Sequence, residues 1–505
     1  MPHIPVSILG KRLLIDGLTL RHQGKVRDSY DLPGFPGLML VVASDCCSIF
    51  DFVLPTLVPL KGEVLTAMNH FWRTKVIKGM CPTDFVAAGA DIDAYLPEHL
   101  RGDIELQKRA TVVRIVSAPD FEDIVRFYLT GNGWTSYRET GKAFEYALPS
   151  GLIDGSLLPF ALYTPTTKAD KGHDESVSAD FVAAKHGPRR ERLALQLAAL
   201  VAAYAKTRGI ILADTKFEFS ADGGQNGDRL TLVDEVATPD SSRFWDENGW
   251  KKAHAKGALP PSSDKQHVRN WGKENHVERD ATGRKRQPEN AEDLAYIDGL
   301  SIPGDVIEAT TRLYRYIFWR LTGMKLETYQ RDVMGIKVET PKPRISILVG
   351  SESDLGQIRT SCDMLAGFAD IHLSVVSCHR NPTDLRMLVR EPKTGLACSN
   401  IIIAGAGMAA ALPGIVKSDL CEFGFSNIPV IGVAFKGSTP EDDLAAKLSI
   451  KCLPGKPVEL DPNGEAYFGP EGFLAACKAA LDDEFLPKTI VAKPAKIGIS
   501  PLTFN

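Results

Sequence analysis

The stretch from Gly209 to Trp245 restricts this chain more than any other. It opens Gly-Ile-Ile-Leu-Ala-Asp-Thr-Lys-Phe-Glu-Phe and crosses a turn rich in Gly, Asn and Asp. It resumes over residues 230–245 as Leu-Thr-Leu-Val-Asp-Glu-Val-Ala-Thr-Pro-Asp-Ser-Ser-Arg-Phe-Trp. Two apolar runs joined by such a turn predict a hairpin. Each run carries acids at or near its end, Asp214 and Glu218 on the first, Asp234 and Glu235 on the second, with Lys216 between them. Carboxylates gathered in so small a volume repel one another unless a cation joins them. Two readings stay open: a solvated hairpin edge with alternating charge, or a site where Mg²⁺ takes one or two carboxylates together with nucleotide phosphates. The adjacent pair Asp234-Glu235 inside an apolar run favours the second.

The chain has 505 residues, too many for one ordinary core, so two or three domains are expected. Its 59 basic and 63 acidic residues give a net charge of −4, which offers no basic surface for nucleic acid. No apolar stretch reaches membrane-spanning length, and the start, Met-Pro-His-Ile-Pro-Val, lacks the charged-then-apolar pattern of a signal. A cytoplasmic protein with small-molecule partners is expected. The nine cysteines are scattered and only Cys46 and Cys47 adjoin, which argues against a zinc site or a disulfide framework and fits a reducing compartment.

Before the central stretch, Gly24-Lys25-Val26-Arg27 reads either as a plain hairpin turn or as one that lets backbone and cations approach phosphate. Lys61-Gly62-Glu63 precedes an amphipathic helix over residues 64–75, with Leu65, Met68 and Trp72 on one face. Strands are expected over 112–116 and 124–129. Arg126 lies inside the second of these and needs an anionic partner if buried. The tight turn Thr130-Gly131-Asn132-Gly133-Trp134 leads into a helix, and an arginine just before it reads either as a phosphate clamp or as an edge-strand arginine. Residues 163–169, which include Lys168, and residues 172–175, which include Asp174, are polar and aperiodic. They read as a substrate-contacting loop; the single His173 is not metal-ligand spacing. A helix is expected over 190–206 and another over 303–321. The charged run 272–293 reads as an exposed insertion. Residues 337–343, with Pro341 and Pro343, read as a linker.

From Ile345 the pattern changes. Apolar strands are expected over 345–349, 372–376, 400–404 and 429–433, alternating with helices. This predicts an α/β doubly wound, flavodoxin-like parallel sheet, whose ligand site lies at the carboxyl ends of its strands. Three motifs fall there: Gly350-Ser351-Glu352-Ser353-Asp354, Ser377-Cys378-His379-Arg380-Asn381-Pro382, and Gly405-Ala406-Gly407-Met408. The Ser/Gly turn and the Gly-rich turn read as phosphate cradles, and His379 reads either as the acid/base group among them or as a structural histidine.

Taken together and in order, these motifs carry a resemblance. Residues from about 20 to 330 resemble SAICAR synthetase through GKVRDSY (24–30), the turn 130–134, TPTTKA (164–169), GHDE (172–175), DTKFEF (214–219), DEVATPDSSRFW (234–245) and DKQ (264–266). Residues from about 343 to 490 resemble PurE-type AIR carboxylase or mutase through GSESD (350–354), SCHRNP (377–382), AGAGMAAALPG (404–414), PVIGV (429–433) and LPGKPV (453–458). The resemblance implies an α+β, ATP-grasp-related domain over residues 1–336 and an AIR carboxylase or mutase domain over 344–505, two consecutive activities of purine synthesis. It implies that ATP phosphorylates the carboxylate of an aminoimidazole ribotide and that the amine of L-aspartate attacks the acyl phosphate. Lys25, Arg27 and Asp234 would then meet the nucleotide, and Asp234, Glu63 and Asp214 would hold Mg²⁺. Lys216 and Asp214 would serve the chemistry, and Arg126, Thr130, Asn132, Lys168, Asp174 and Arg243 the substrates. In the second domain His379 would carry a proton, with Ser351, Ser353, Asp354, Arg380, Gly405 and Gly407 on the ribotide, and that domain would assemble a homo-oligomer.

The chain departs from both patterns. Cys46 stands where the first family has Arg, and Phe127 and Asn132 where it has Gly and Ser. In the second, Met408 replaces a glycine and Ala411 a histidine. A divergent ligase acting on a related carboxylated heterocycle therefore stays open, as does a second domain kept for ribotide binding or assembly.

Overall fold

The computed structural model describes residues 3–168, 175–221, 230–260, 262, 265–339, 342–391, 395–482 and 485. It divides into two units, Met1–Thr340 and Pro341–Asn505. Among the described residues no helix is long and apolar enough to cross a membrane.

The first unit opens with helix α1 (Val6–Leu9), hairpin β1 (Thr19–Gln23) and β2 (Arg27–Asp31), strand β3 (Leu38–Ala43), and hairpin β4 (Cys46–Ile49) and β5 (Phe52–Leu57). Helix α2 (Lys61–Phe71), strand β6 (Phe85–Ala88), helix α3 (Ile104–Arg109) and strands β7 (Ala110–Arg114) and β8 (Phe121–Tyr128) follow. Next come α4 (Asn132–Thr140), the ribbon β9 (Lys142–Ala143) and β10 (Tyr146–Ala147), β11 (Leu157–Tyr163) and β12 (Thr166–Thr167). Helices α5 (Ala179–His186) and α6 (Arg189–Thr207) lead to β13 (Ile210–Ala221), β14 (Leu230–Val233) and β15 (Ser242–Asp246). Helices α7 (Glu247–His254), α8 (Gln266–Glu274), α9 (Ala291–Asp298), α10 (Gly304–Thr322) and α11 (Leu326–Asp332) complete it.

Two antiparallel sheets organise these elements. One has the order β1-β2-β3-β7-β6; the other has the order β11-β8-β13-β14, with β12 on β8 and β15 on β13. In β2 the side chains alternate: Asp28 and Tyr30 are buried, while Arg27 and Ser29 take the other face. Strand β13 is buried along almost its whole length because helices cover it. Leu193, Leu197 and Val201 of α6 and Met68 of α2 share one core with Leu212, Phe217 and Phe219. Helix α2 begins three residues earlier than its apolar period implies. Leu60 adopts φ +65°, and Gly62 sits so close to β3 that a Cβ there would lie 2.6 Å from the Ala43 carbonyl oxygen. The Lys-Gly-Glu triplet is therefore the first turn of the helix.

The charged run 272–293 is mostly exposed, as expected, but a few buried residues anchor it. Val277 is fully buried among Val268, Trp271, Ile297 and Phe52. Asp293 is 0% exposed; it accepts from Arg284 Nη2 and Arg286 Nη1, each at 2.7 Å, and Arg286 stacks 3.8 Å from the Tyr296 ring centre. The charges fold the segment by pairing with one another.

The second unit contains β16 (Arg344–Val349), α12 (Arg359–Leu365), β17 (Asp370–Val375), α13 (Pro382–Arg390), β18 (Ile401–Ala406), α14 (Leu412–Glu422), β19 (Val430–Ala434), α15 (Pro440–Lys451), β20 (Tyr467–Phe468) and α16 (Gly469–Asp482). All pairings are parallel, in the order β17-β16-β18-β19-β20, the flavodoxin-like winding. Its central strands read as unbroken apolar runs because both faces are covered. Ile345 and Ile347 enter one core and Leu348 the other. Strand β18 continues to Ala406, two residues beyond the expected end.

Candidate active site

In the first unit, β13 carries the centre of the site. Asp214 stands opposite Arg126 of β8 and Arg243 of β15. Arg126 Nη1 donates to Asp214 Oδ2 at 2.7 Å and Arg126 Nε to Thr164 Oγ1 at 2.9 Å. Arg243 Nη1 approaches the same Asp214 oxygen at 3.2 Å but makes no well-directed hydrogen bond, although that atom is buried. Burial, and then the neighbouring Arg243, push the Arg126 guanidinium down against the pull of Asp214. One carboxylate is thus shared by two guanidiniums, leaving a surplus positive charge that suits an anion. Gly131, with φ +56°, is the floor of this place: a Cβ on it would lie 2.6 Å from both terminal nitrogens of Arg243. Thr130 is buried beside Asp154, and Asn132 is exposed at the start of α4. The arginine and the turn singled out in the sequence do come together.

The acid pair lies where β14 ends. Asp234 adopts φ +55° and Ala237 φ +46°, a left-handed backbone that costs on the order of 1 kcal/mol per non-glycine residue and collects at functional sites. Helix α2 and the turn after it hold this bend. Trp72 Nε1 donates to Ala237 O at 2.9 Å, Arg73 Nη2 to Asp234 O at 2.6 Å, and Asn69 Oδ1 accepts from Val236 N at 3.2 Å. Arg27 of β2 pairs with Asp234 and, at 2.6 Å, with Glu235. Burial raises the Asp234 carboxyl, but Arg27, Lys216 and Lys168 outweigh it and hold the group well below the usual range. Burial moves Glu235 the other way, upward. Lys216 Nζ donates to Glu122 at 2.8 Å and Glu218 at 2.6 Å, and Lys168 pairs with Glu218 as well. Against its burial, Glu218 and Glu122 keep Lys216 far above its ordinary pKa. It is a fixed cation, not a proton acceptor.

A third cluster escaped the sequence reading. Lys61, fully buried, donates to Asp240 Oδ2 at 2.6 Å, and the Tyr314 hydroxyl donates to Asp240 Oδ1. Burial raises Asp240, but Lys61 and Lys265 hold it well below the carboxylate range. Lys265, at the start of α8, is pushed down by burial against the pull of Asp240. The signals were present in Lys61-Gly62 and in Pro239-Asp240-Ser241-Ser242-Arg243, but the partners lie far apart in the chain. Cys46 has no polar role: it packs among Ile4, Ile8 and Val53.

The expected carboxylate trio for a metal does not assemble. Glu63 is held by Arg109 Nη2 at 3.4 Å and Gln330 Nε2 at 2.9 Å, tying α2 to α3 and α11, and burial raises its carboxyl. Asp214 is taken by its two arginines. Among the described residues no group of three or more His, Cys, Asp or Glu side chains is placed to hold a metal ion. Asp234 alone of the three fits a cation that also binds phosphate: it is held ionised and its side chain is 30% exposed. Lys25, at the turn between β1 and β2, pairs with Asp51 at 2.7 Å. Asp174 lies outside the described residues.

In the second unit the three motifs gather at the carboxyl ends of β16, β17 and β18. Ser353 Oγ donates to Ser351 Oγ at 2.9 Å and Arg380 Nη2 to Gly350 O at 3.1 Å. Asp354 is buried and its carboxyl raised by that burial. His379 is exposed in the turn after β17. Gly405 is not a loop cradle: it pairs with Val349 and Val433 inside the sheet, and a Cβ there would lie 2.5 Å from the Phe435 ring. Gly407 follows the strand, and Met408, at φ +50° and 62% exposed, stands beside it. Ala411 heads α14 without a side-chain cap.

Cations held by acids in one unit, and an exposed imidazole beside two turns at the strand ends of the other, suit anionic small molecules. A family model of SAICAR synthetase matches residues 20–285, and one of AIR carboxylase matches residues 344–466. The phosphoribosylaminoimidazole-succinocarboxamide synthase of Methylobacillus flagellatus is 39% identical over 314 residues, 61% of this chain and 96% of that protein. The synthase of the same name from Neisseria meningitidis serogroup B is 39% identical over 311 residues, covering 61% and 98%. The solved SAICAR synthase of Saccharomyces cerevisiae, complexed with SAICAR, aligns with a TM-score of 0.50 at 33% identity, covering 62% of this chain and 98% of that one. The chain belongs to the SAICAR synthetase family, ligases of purine biosynthesis, and carries an AIR carboxylase-like domain besides.

Proposed function

We propose that the first unit joins L-aspartate to carboxyaminoimidazole ribotide with ATP, through an acyl phosphate, giving SAICAR. In the first step a ribotide carboxylate oxygen attacks the γ-phosphorus and ADP departs. In the second the aspartate amine attacks the acyl carbon, phosphate departs with that oxygen, and the amine proton is released. The chemistry asks for positioning and charge neutralisation more than for a nucleophile. Lys25 and Arg27 meet the nucleotide phosphates. Mg²⁺, when bound with the nucleotide, shields phosphate charge, and Asp234 is the carboxylate that would hold it. Arg243 and Arg126 bind the ribotide's anionic group beside Gly131, with Thr130, Asn132, Lys168 and Asp174 as further substrate contacts. Lys216 and Asp214 keep the field of the site fixed. The observation that carries this reading is the buried Nη1 of Arg243, 3.2 Å from Asp214 and still without a well-directed hydrogen bond. The test is steady-state ADP release by the full chain with the ribotide: release beyond a single turnover should require aspartate, and sustained release that ignores aspartate refutes the reading.

For the second unit we propose formation of the same carboxylated ribotide, by carboxylation or by transfer of a carboxylate from nitrogen to carbon. Ser351, Ser353, Asp354, Arg380 and Gly407 bind the ribotide, and His379 moves the ring-carbon proton. Met408, exposed with a left-handed backbone beside Gly407, and the bare Ala411 favour a second reading: a ribotide-binding or assembly domain without turnover. A cytoplasmic homo-oligomer, assembled through this domain, completes the proposal. Carboxylation or isomerisation assays on the full chain separate the two readings.

A further inference from the structure

The turn between β1 and β2 is closed on itself. Gly24 N donates to Arg27 O at 2.8 Å, and Ser44 N and Oγ both donate to Val26 O, at 2.9 and 2.8 Å. A Cβ at residue 24 would lie 2.6 Å from Arg27 O. Behind the turn stands a residue that no motif brings forward. Arg12, 5% exposed, comes off the end of α1. It donates from Nη1 to Gly24 O at 3.1 Å and from Nη2 to Asp28 Oδ1 at 2.6 Å. One guanidinium thus holds both ends of the turn. The alternation of β2 sends Arg27 to Asp234 and Glu235 on one face and Asp28 to Arg12 on the other. Arg12 therefore does not share the face that Arg27 presents to the acid pair. The segment that delivers it is itself anchored: the Tyr30 hydroxyl donates to Leu13 O at 3.0 Å, and Ile4 and Ile8 form a cluster against which Val26 of the turn packs.

We propose that Arg12 is a positioning residue for nucleotide binding, fixing the backbone of Gly24–Asp28 before ATP arrives. The proposal rests on the assignment of that turn to ATP. A turn ordered during folding costs nothing further to order on binding. The planar fork of arginine spans two acceptors at once, which the single ammonium of lysine does not reproduce. Removing Arg12 alone leaves the Asp28 carboxylate buried without its cation, so the informative variant removes both charges.

The experiment measures KM for ATP, aspartate and ribotide, with kcat and thermal unfolding, in the full chain and in R12K, R12M/D28N and K25A. R12M/D28N should raise KM for ATP about tenfold, equivalent to about 1.4 kcal/mol. KM for aspartate and ribotide should stay within about twofold, and R12K should fall between the two, since a single ammonium restores part of the contact. If K25A raises KM for ATP while neither Arg12 variant does, the positioning role is overturned and the nucleotide turn stands. If K25A also leaves it unchanged, the assignment of the turn has failed. A uniform loss in all three KM values together with lower thermal stability would make Arg12 a general brace, against the proposal.

Discussion

In the first unit Arg27, Arg126, Lys216 and Lys61 each hold a carboxylate at hydrogen-bond distance. In the second, His379 and Arg380 stand exposed at strand ends, and Arg380 donates to a backbone carbonyl. The contrast follows the chemistry each would perform. Phosphoryl transfer and amide formation move negative charge between oxygens, and a site that fixes its cations beforehand need not reorganise during reaction. Acids are the means of fixing them: Asp214, Asp234, Glu218 and Asp240 each anchor a cation. A proton carrier has the opposite requirement, since it must meet both substrate and a route for the proton.

The comparison breaks most sharply at His379. Replacing it in H379N should lower carboxylated-ribotide formation by about 10³-fold, the scale of lost acid–base catalysis, and leave aspartate-dependent ADP release untouched. Formation that survives the change would move the proton to another group. If the parent chain forms no carboxylated ribotide, A411H asks whether the missing imidazole silenced the domain, and restored turnover would answer yes. Next in size is R243M, which should reduce kcat/KM for the ribotide about 100-fold, the effect of losing a charged hydrogen-bonding partner worth about 3 kcal/mol. Thermal stability should change little, because Arg126 still neutralises Asp214; an unchanged KM for the ribotide would contradict the clamp. Smaller again is D234N, expected to raise the Mg²⁺ concentration for half-maximal rate about tenfold, or about 1.4 kcal/mol. No change there would remove Asp234 from the metal.

A further prediction concerns stability and pH rather than turnover. His70 of α2 accepts or donates a 2.8 Å hydrogen bond with Tyr329, and burial lowers its pKa to about 4. Because the folded-state pKa is depressed, the full contribution is present above the unfolded value near 6.5 and is lost as pH falls from there toward 4. The slope reaches at most about 1.4 kcal/mol per pH unit. Unfolding midpoints between pH 7 and pH 4 should fall less in H70Q than in the parent.

Much of this was legible in the sequence. Arg126, inside an apolar run, demanded an anion, and Asp214 supplies it across a neighbouring strand. The parallel sheet followed from apolar strands that alternate with helices. What escaped reading depends on distance along the chain. Lys61 and Asp240 are 179 residues apart and Glu63 and Gln330 are 267 apart, so neither the buried ion pair nor the hydrogen bond on Glu63 is visible locally. The charged run 272–293 is mostly exposed as read, but its anchor was not visible: Asp293 buries itself by taking two arginines. Gly405 was misread because a glycine near a strand end serves backbone approach to a ligand or to a ring, and only the Phe435 contact distinguishes them.

The central claim is that the first unit makes its amide through an acyl phosphate on the ribotide carboxylate. Carboxylated ribotide bearing ¹⁸O in both carboxylate oxygens, turned over with ATP and aspartate, tests it directly. The account predicts one labelled oxygen in each inorganic phosphate released and the other in the amide. Unlabelled phosphate accompanying amide product would contradict it.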